Sequence, residues 1–218
     1  MKQALIVANW KSNKVEKEVN DWFETFSAAN IPDNVKVVVC PSFQLLSLSK
    51  SLALEKCSRV EIGAQDISQF DSGAHTGEVN TDQLQELASW IIVGHSERRS
   101  MGETEEILQK KVEMAKKNNL KVIYCVSEVS QNIPSQVDAV AYEPLFAIGS
   151  GTADTPENAQ KTAKEIKEKN NLEIVLYGGS VKSGNVSSFL ACDSIDGVLV
   201  GGASLDPVEF LRIVSNSS

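Results

Sequence analysis

The sequence predicts an α/β fold, a (β/α)8 barrel formed by residues 1–218 as one domain. Short apolar, β-branched runs alternate with amphipathic stretches from one end of the chain to the other, as is typical of buried parallel strands with helices between them. No linker or repeat divides this pattern, and 218 residues suffice for a barrel of this kind. Eight runs fit either a closed barrel or a doubly wound open sheet.

The eight apolar runs are the predicted strands. In chain order they are Ala4–Ala8, Val35–Cys40, Val60–Ala64, Trp90–Val93, Lys121–Val126, Ala139–Tyr142, Glu173–Tyr177 and Gly197–Val200. Polar and glycine-rich residues follow these runs rather than precede them. In a barrel the loops after the strands form the face that carries function, so these loops hold the candidate site.

Helices are predicted between the strands from periodicity and from capping residues. One apolar stripe at helical spacing is formed by Val15, Val19, Trp22, Phe23 and Phe26. Thr155 before Pro156, and Asp206 before Pro207, each place a capping residue ahead of a proline at the first helical position. Glu209, three residues after Asp206, predicts an arrangement like a capping box.

The alternation is broken between the fifth and sixth strands. A crossover between parallel strands needs about a dozen residues, and residues 127–137 barely supply them, with Pro134 among them. Because proline interrupts helices, we expect the helix between strands 5 and 6 to be largely missing. An extended or one-turn segment, or another chain, is then expected to cover this part of the barrel.

Charge and composition exclude several classes of function. The net charge is −8 and the isoelectric point about 4.9, so nucleic acid and acidic membranes are not expected as partners. The chain as a whole repels anions, and an anion site must therefore be built from local groups. The sequence shows no signal-peptide pattern and no apolar span long enough for a membrane.

The cysteine and histidine content predicts neither disulfides nor a metal site. Four cysteines are spread over the chain: Cys40, Cys57, Cys125 and Cys192. Their spacing favours free thiols in a reducing cytoplasm over disulfides or metal ligands. Only two histidines, His75 and His95, are present, which further disfavours zinc.

Charged side chains follow the first and fourth strands. Asn9-Trp10-Lys11 leaves the first strand, and Lys11 is either a surface lysine or a cation of the site. His95 opens helical sequence after the fourth strand, where backbone dipoles favour neutral imidazole. A neutral imidazole can donate its N–H to a developing oxyanion, although His95 also suits a purely structural cap. Glu97 is expected to pair with Lys11 and not to carry a proton.

Glu143 ends the sixth strand, where burying a carboxylate costs free energy unless the group has a partner or a task. Pro144 restricts Glu143 to extended geometry. The apolar residues that follow, together with Gly149-Ser150-Gly151, predict a lid that closes over a site and excludes water. A surface loop with a salt-bridged glutamate is the alternative.

Two glycine pairs follow the last two strands, in the segments Tyr177–Ser180 and Gly201–Ser204. Paired glycines let backbone N–H groups approach an anion, and a following helix N-terminus adds a favourable dipole. Loops after strands seven and eight form the recurrent phosphate site of such barrels. The sequence therefore predicts a phosphorylated ligand.

Five loop motifs occur in the same order as in one known family. They are Asn9-Trp10-Lys11, Gly94-His95-Ser96-Glu97-Arg98-Arg99, Ala141-Tyr142-Glu143-Pro144, Tyr177-Gly178-Gly179-Ser180 and Leu199-Val200-Gly201-Gly202-Ala203-Ser204. Together they resemble the triosephosphate isomerase family, whose fold is the TIM barrel. The resemblance implies an aldose–ketose isomerase of glycolysis and gluconeogenesis. It would interconvert dihydroxyacetone phosphate and D-glyceraldehyde 3-phosphate without a metal or an organic cofactor.

The resemblance also implies catalytic roles for individual residues. Glu143 would take the proton from the carbon beside the substrate carbonyl. Neutral His95 would polarise that carbonyl and move protons between the two oxygens of the enediol(ate); this family is a well-known illustration of such pKa tuning. Lys11 and Asn9 would contact the substrate and stabilise its growing negative charge.

Further residues would hold the phosphate and dry the site. By resemblance, the donors to the phosphate would be Gly149, Ser180, Gly201 and Gly202, with lid closure bringing in the first of them. Ile148 and Leu199 would form an apolar clamp that dehydrates Glu143 and raises its basicity.

Residues 65–78 resemble the long third loop of the family, which inserts into the partner subunit. The resemblance implies a homodimer, in which Thr76 reaches toward the partner's Asn9 and the partner's Lys11. His75, at the tip of the loop, would make an interface contact. The alternative is a long mobile surface loop.

Three residues depart from the common pattern of the family. Phe146 stands where tryptophan is common in the lid hinge, and Thr152 stands where lysine is frequent after the lid. Ser127 replaces a usual glycine after the fifth strand. We expect the first two changes to alter lid kinetics and not the chemistry.

Two other functions fit part of the pattern. Another barrel isomerase or lyase for phosphorylated sugars would share the phosphate loops, but it does not account for Lys11, His95 and Glu143 together. A degenerate barrel kept for phosphate binding or as a scaffold would have lost a catalytic side chain, and all three are present.

Overall fold

The computed structural model describes residues 2–149 and 151–218, and in these ranges eight parallel strands close into a barrel. The strands are β1 (Ala4–Asn9), β2 (Val35–Cys40), β3 (Val60–Ala64), β4 (Trp90–Val93), β5 (Lys121–Val126), β6 (Ala139–Tyr142), β7 (Val175–Tyr177) and β8 (Gly197–Val200). Each strand pairs with the next, and β8 returns to β1 with Gly197 opposite Leu5. The predicted barrel is confirmed. Two strands differ from the predicted bounds: β1 ends one residue later, at Asn9, and β7 begins two residues later, at Val175.

Helices surround the barrel. They are α1 (Glu16–Phe26), α2 (Leu46–Lys56), α3 (Thr81–Leu84), α4 (Ser96–Ser100), α5 (Glu105–Lys117), α6 (Pro156–Asn170), α7 (Val186–Leu190) and α8 (Pro207–Ser215). Short 3-10 turns lie at Phe43–Leu45, Leu145–Ala147 and Gly202–Ser204. In α1 the predicted apolar stripe is buried except for Val15, which is exposed because it precedes the first turn of the helix.

The predicted caps of α6 and α8 form, but the capping box does not. Thr155 Oγ1 accepts a hydrogen bond from the N–H of Asn158 at 3.2 Å, and the side chain of Asp206 caps the first turn of α8. Glu209 does not bond back to the cap, so that expectation was wrong. Its carboxylate accepts from the N–H of Ser183 at 2.8 Å and from the hydroxyl of Ser183 at 3.0 Å. This pair of donors ties the loop after β7 to α8.

Alternate strand residues fill the inside of the barrel. The inner layer consists of Leu5, Val7, Val38, Cys40, Trp90, Ile92, Ile123, Cys125, Ala139, Ala141, Leu176 and Leu199. The intervening strand residues point outward and pack against the helices in a second, larger core. Continued to the ends of β1 and β6, the same alternation gives Asn9 and Glu143. Polar side chains therefore stand directly on top of an apolar plug.

The connector between β5 and β6, residues 127–138, contains no helix, as predicted from its length. The amide oxygen of Gln131 accepts from the N–H of Glu128 at 3.1 Å, and Lys169 on α6 donates to the carbonyl of Val129 at 2.8 Å. Ile133 is buried against the outer core. The connector itself thus covers this side of the barrel.

The fold also shows where the cysteines lie and how apolar the helices are. The four cysteines are free thiols, of which Cys40 and Cys125 lie inside the barrel. None of the helices in the described ranges is long and apolar enough to cross a membrane.

Candidate active site

A cavity of about 340 Å³ opens where the strands end. It is lined by Asn9, Lys11, His95, Glu143, Ile148, Gly149, Gly151, Gly178, Ser180, Val181, Lys182, Leu199, Gly201, Gly202 and Ala203. Of the site residues proposed from the sequence, only Glu97 and Thr76 lie outside this lining. The loops after β1, β4, β6, β7 and β8 therefore converge on one space.

Glu143 is the most deeply buried charged group in the cavity lining, with 3% of its surface exposed. Its backbone N–H donates to the carbonyl of Val126 at 2.8 Å and extends the pairing of β6 with β5. One carboxylate oxygen, Oε1, lies 3.2 Å from Nε2 of His95. The other, Oε2, accepts a long hydrogen bond of 3.5 Å from the N–H of Ser96. The carboxylate is thus held between two groups of the same loop.

Burial dominates the protonation of Glu143. It raises the pKa of the carboxyl from 4.5 to about 7, because the charged form is poorly solvated inside the barrel. The N–H of Ser96, the charge of Lys11 and the thiol of Cys125 lower this pKa, but they do not outweigh burial. No local pattern indicates Cys125 as part of the site, since its place depends on β5 lying beside β6. A carboxyl of this pKa is a stronger base than an ordinary glutamate.

His95 is a neutral hydrogen-bond donor directed at the cavity. Gly94, with φ of 74°, turns the chain sharply after β4, and His95 then caps α4. Its Nδ1 accepts from the N–H of Glu97 at 3.2 Å, so the hydrogen of the neutral ring is on Nε2. Burial, reinforced by the charge of Lys11, lowers the pKa of His95 from 6.5 to about 4. The ring is therefore uncharged at neutral pH.

Lys11 is held in an unusual backbone conformation. Its φ is 53°, in the left-handed region that costs a non-glycine residue about 1 kcal/mol or more. Asn9 Oδ1 accepts a hydrogen bond from the N–H of Lys11 at 3.0 Å. The side-chain amide of Gln65 donates to the backbone carbonyl of Lys11 at 2.9 Å. The ammonium lies 2.6 Å from Glu97, the pairing expected from the sequence. Gln65 is a positioning residue that the sequence did not reveal.

The predicted lid begins at Pro144 and ends at α6. Its first part is the 3-10 turn Leu145–Ala147, whose last carbonyl accepts from the hydroxyl of Ser180 at 2.6 Å. Its far end is fastened by Asp154, whose N–H donates to the hydroxyl of Tyr177 at 2.7 Å. Ile148 and Gly149 line the cavity, while Ser150 lies outside the described residues.

The glycine pair after β7 is required by close packing. A Cβ on Gly178 would come within 2.9 Å of Cγ of Glu143, and one on Gly179 within 2.4 Å of the Tyr177 hydroxyl. Ser180 follows with φ of 53°. Ser180, Gly201 and Gly202 all line the cavity that contains Glu143. The two loops that sequence reasoning assigned to an anion are thus brought together beside the carboxylate.

Residues 65–78 do not enter this cavity. The N–H of Ser68 donates to the carbonyl of Val79 at 2.8 Å and closes the neck of the loop. Beyond the neck, His75 stacks on Phe70 at 4.2 Å, and both His75 and Thr76 are exposed. The loop is thus closed at its neck, and Thr76 at its tip does not line the cavity formed by the described residues.

The arrangement suits proton abstraction from carbon. A buried carboxylate of raised basicity faces a neutral N–H donor, Lys11 lines the same cavity, and the glycine-rich loops after β7 and β8 border it as well. In the described part of the chain, no group of three or more His, Cys, Asp or Glu side chains is arranged to hold a metal ion.

Comparisons with known proteins agree with this geometry. The family model for triosephosphate isomerase matches residues 4–139 and 130–217. The triosephosphate isomerase of Mesomycoplasma hyopneumoniae strain 232 is 41% identical over 245 residues, which cover 98% of this chain and 99% of that protein. Those of Mycoplasmopsis pulmonis and Vesicomyosocius okutanii are 36% identical, covering 99% and 100% of this chain and 98% and 100% of those proteins.

The aligned regions are longer than this chain, as expected if the chain lacks a helix between β5 and β6. The aligned regions of 244 to 250 residues exceed the 218 residues of this chain, so the relatives contain segments that it lacks. The two segments matched by the family model overlap at residues 130–139. Nearly all of these residues belong to the connector between β5 and β6, which contains no helix.

Proposed function

The chain belongs to the triosephosphate isomerase family, and from this we propose that it interconverts dihydroxyacetone phosphate and D-glyceraldehyde 3-phosphate with Glu143 as the base. The observation that carries the assignment of roles is the 3.2 Å approach of Glu143 Oε1 to His95 Nε2 in the cavity. Ser180, Gly201 and Gly202 border the same cavity and supply the amides for a phosphate.

The reaction moves protons and leaves the atom count of the substrate unchanged. Glu143 accepts a proton from the carbon beside the carbonyl, and the C–H electron pair forms the C=C bond of the enediol(ate). The carbonyl oxygen takes the displaced electron pair, and the Nε2–H of His95 donates to it. Glu143 then returns its proton to the former carbonyl carbon. The hydroxyl proton of the other oxygen passes by way of His95 to the first oxygen, so that the first oxygen ends as a hydroxyl and the other oxygen becomes the carbonyl.

Three sets of residues support this chemistry: polar groups that stabilise charge, apolar groups that exclude water, and donors to the phosphate. Lys11 and Asn9 border the cavity on the side of His95 and stabilise the negative charge on the substrate oxygens. Ile148 and Leu199 are apolar residues of the cavity lining, and lid closure over them excludes water from the base. Gly149, Ser180, Gly201 and Gly202 donate to the phosphate.

Coupled turnover of the two triose phosphates tests the proposal, with Glu143→Asp beside the wild-type chain. Shortening the side chain withdraws the base by about 1 Å, and we expect kcat to fall on the order of 100-fold. Glu106→Asp, an equal change at an exposed position of α5, is the control and should leave kcat unaltered. An inactive wild-type chain would refute the function, whereas an unimpaired Glu143→Asp variant would refute only the role of Glu143.

We also propose that two copies form a homodimer through residues 65–78. A second cavity, of about 300 Å³, is also lined by Lys11 and His95, and exposed Phe43 and Met101 border it. Exposed apolar groups beside a polar hollow are typical of protein interfaces. The exposed, polar tip at Thr76 would enter this hollow on the partner.

Sedimentation at micromolar concentration tests the dimer. We expect a species of twice the chain mass for the wild type and a monomer for Met101→Asp, which puts a charge into the apolar rim. Exposed Leu54→Asp on α2 is the control for added charge and should remain dimeric. A wild-type chain that sediments as a monomer would refute the dimer.

A cytoplasmic location is the last part of the proposal. The four free thiols support it, since such thiols persist in reducing compartments. Fractionation of cells of the source organism with an antibody against the chain would test this location.

A further inference from the structure

Lys182 is a second cation of the active-site cavity. It lies two residues after Ser180 in the loop that follows β7, and it lines the same cavity as Glu143 and His95. Its side chain is exposed, and none of the described acidic groups forms an ion pair with it. None of the motifs recognised in the sequence included this residue.

The backbone of Lys182 is firmly held although the side chain is free. Its N–H donates to Oδ1 of Asn185 at 2.8 Å, and its carbonyl accepts from the N–H groups of Asn185 and Val186 at 3.1 and 3.0 Å. The next residue, Ser183, gives both of its donors to Glu209 on α8. The loop therefore holds the backbone of this exposed lysine in a fixed position at the border of the cavity.

The other charges around the cavity provide little net attraction for an anion, so the positive charge of Lys182 matters. The chain carries a net charge of −8 and repels an anionic ligand at long range. The ammonium of Lys11 is offset by Glu97 at 2.6 Å, and Glu143 adds negative charge when it is ionised. Within the described lining, Lys182 is thus the lysine without a counter-ion.

We propose that Lys182 is a specificity-determining residue that attracts the phosphate dianion of the substrate to the loops after β7 and β8. The proposal rests on the proposed function and adds a residue to its phosphate end. Lys182 takes no part in proton transfer. It acts on the capture and retention of the phosphorylated substrate by Coulomb attraction at the rim of the cavity.

The size of the effect follows from the exposure of the side chain. Pairs of exposed charges are weak and are screened by salt over about 10 Å at an ionic strength of 0.1 M. The doubly charged phosphate strengthens the attraction, so we expect Lys182→Gln to raise KM about 3- to 10-fold at low salt. The change in kcat should stay within about 2-fold, because the interaction is similar in the ground state and the transition state.

Steady-state kinetics with D-glyceraldehyde 3-phosphate at about 0.02 M and about 0.3 M ionic strength would test this. Lys182→Arg keeps the charge and should restore KM, whereas Lys182→Glu should raise it further than Lys182→Gln. Lys110→Gln removes one positive charge from an exposed position of α5 and serves as the control for net charge. Equal KM values for Lys182→Gln and Lys110→Gln at low salt would overturn the proposal.

Two further measurements separate this proposal from the proposed function. Turnover of D-glyceraldehyde, which lacks the phosphate, gives a specificity ratio, and Lys182→Gln should lower the preference for the phosphorylated substrate by the same 3- to 10-fold. Binding of inorganic phosphate, followed by calorimetry, needs no activity at all. Wild-type binding that weakens in Lys182→Gln but not in Lys110→Gln supports the role of Lys182 even if turnover fails, and unchanged binding refutes it.

Discussion

His95 Nε2 lies 3.2 Å from Glu143 Oε1, and burial has reversed the order of basicity of these two side chains. An ordinary histidine, with a pKa of 6.5, is a stronger base than an ordinary glutamate, with a pKa of 4.5. Here the pKa of His95 is about 4 and that of Glu143 about 7. A proton that enters the pair therefore stays on the carboxyl group, and the imidazole remains a neutral donor. The division of roles between base and donor follows from this reversal.

The first prediction concerns the pH dependence of kcat/KM. Because the base must be ionised, kcat/KM should rise as the pH increases through about 7 and should fall below it. His95 stays neutral above about pH 4 and adds no inflection of its own in this range. D-glyceraldehyde should be used beside the natural substrate, because a phosphate monoester ionises near pH 6. An inflection near 4.5 would show an unperturbed carboxyl and contradict the prediction.

The second prediction concerns the stability of Glu143→Gln. The folded-state pKa of Glu143 is raised, so the wild-type chain loses stability as the pH rises from about 4.5 through about 7, by on the order of 3 kcal/mol in all. Glutamine stays neutral and avoids this loss. We expect the variant to be more stable at about pH 8 by about 1–3 kcal/mol and equal to the wild type below about pH 4.5. Urea unfolding at a fixed protomer concentration measures both values, and a variant less stable at pH 8 would contradict the argument.

The third prediction concerns Gly178→Ala. The new methyl group would lie 2.9 Å from Cγ of Glu143, so the carboxylate has to move. We expect kcat to fall about 10- to 100-fold, since displacements of about 1 Å have effects of this size. Gly184→Ala adds the same methyl group in the same loop with nothing within 4 Å, and it should keep its activity. Equal kcat values for the two variants would show that Gly178 has no such role.

The fourth prediction concerns the far end of the lid. Tyr177→Phe removes the acceptor of the Asp154 N–H and leaves that donor without its partner. A missing partner of this kind costs about 1–3 kcal/mol, and we expect kcat/KM to fall about 10-fold and lid cleavage by protease to quicken. Tyr124→Phe loses a hydroxyl that donates to Glu105 outside the barrel, so it is the matched control. Unchanged proteolysis in Tyr177→Phe would contradict the anchoring role.

The strands and their functional loops could be predicted because their signals are local. A run such as Val35–Cys40 is apolar except for Lys36 and coincides with β2 in both bounds. The predicted seventh strand began two residues too early, at Glu173, since the β-branched Ile174 directly precedes the strand. Glycine pairs and a proline after a strand can also be recognised without knowing the fold.

The remaining parts of the site depend on contacts between distant residues. Gln65 reaches the carbonyl of Lys11 across two strands, and Gly178 is needed because β7 brings it against Glu143. Glu209 satisfied the pattern of a capping box, yet Ser183 offered it two donors from another loop. Such contacts arise only when the barrel closes, so no local pattern marks them.

The connector of residues 127–138 also makes the barrel wall thinner at one seam. Elsewhere a helix covers the hydrogen bonds between neighbouring strands, but β5 and β6 are covered by a single irregular segment of turns and bends, held by Ile133 and a few polar contacts. Local opening requires less buried surface to be exposed at such a place. The backbone amide hydrogens that pair β5 with β6 should therefore exchange with deuterium earlier than those that pair β1 with β2. Unfolding of the barrel should begin between β5 and β6.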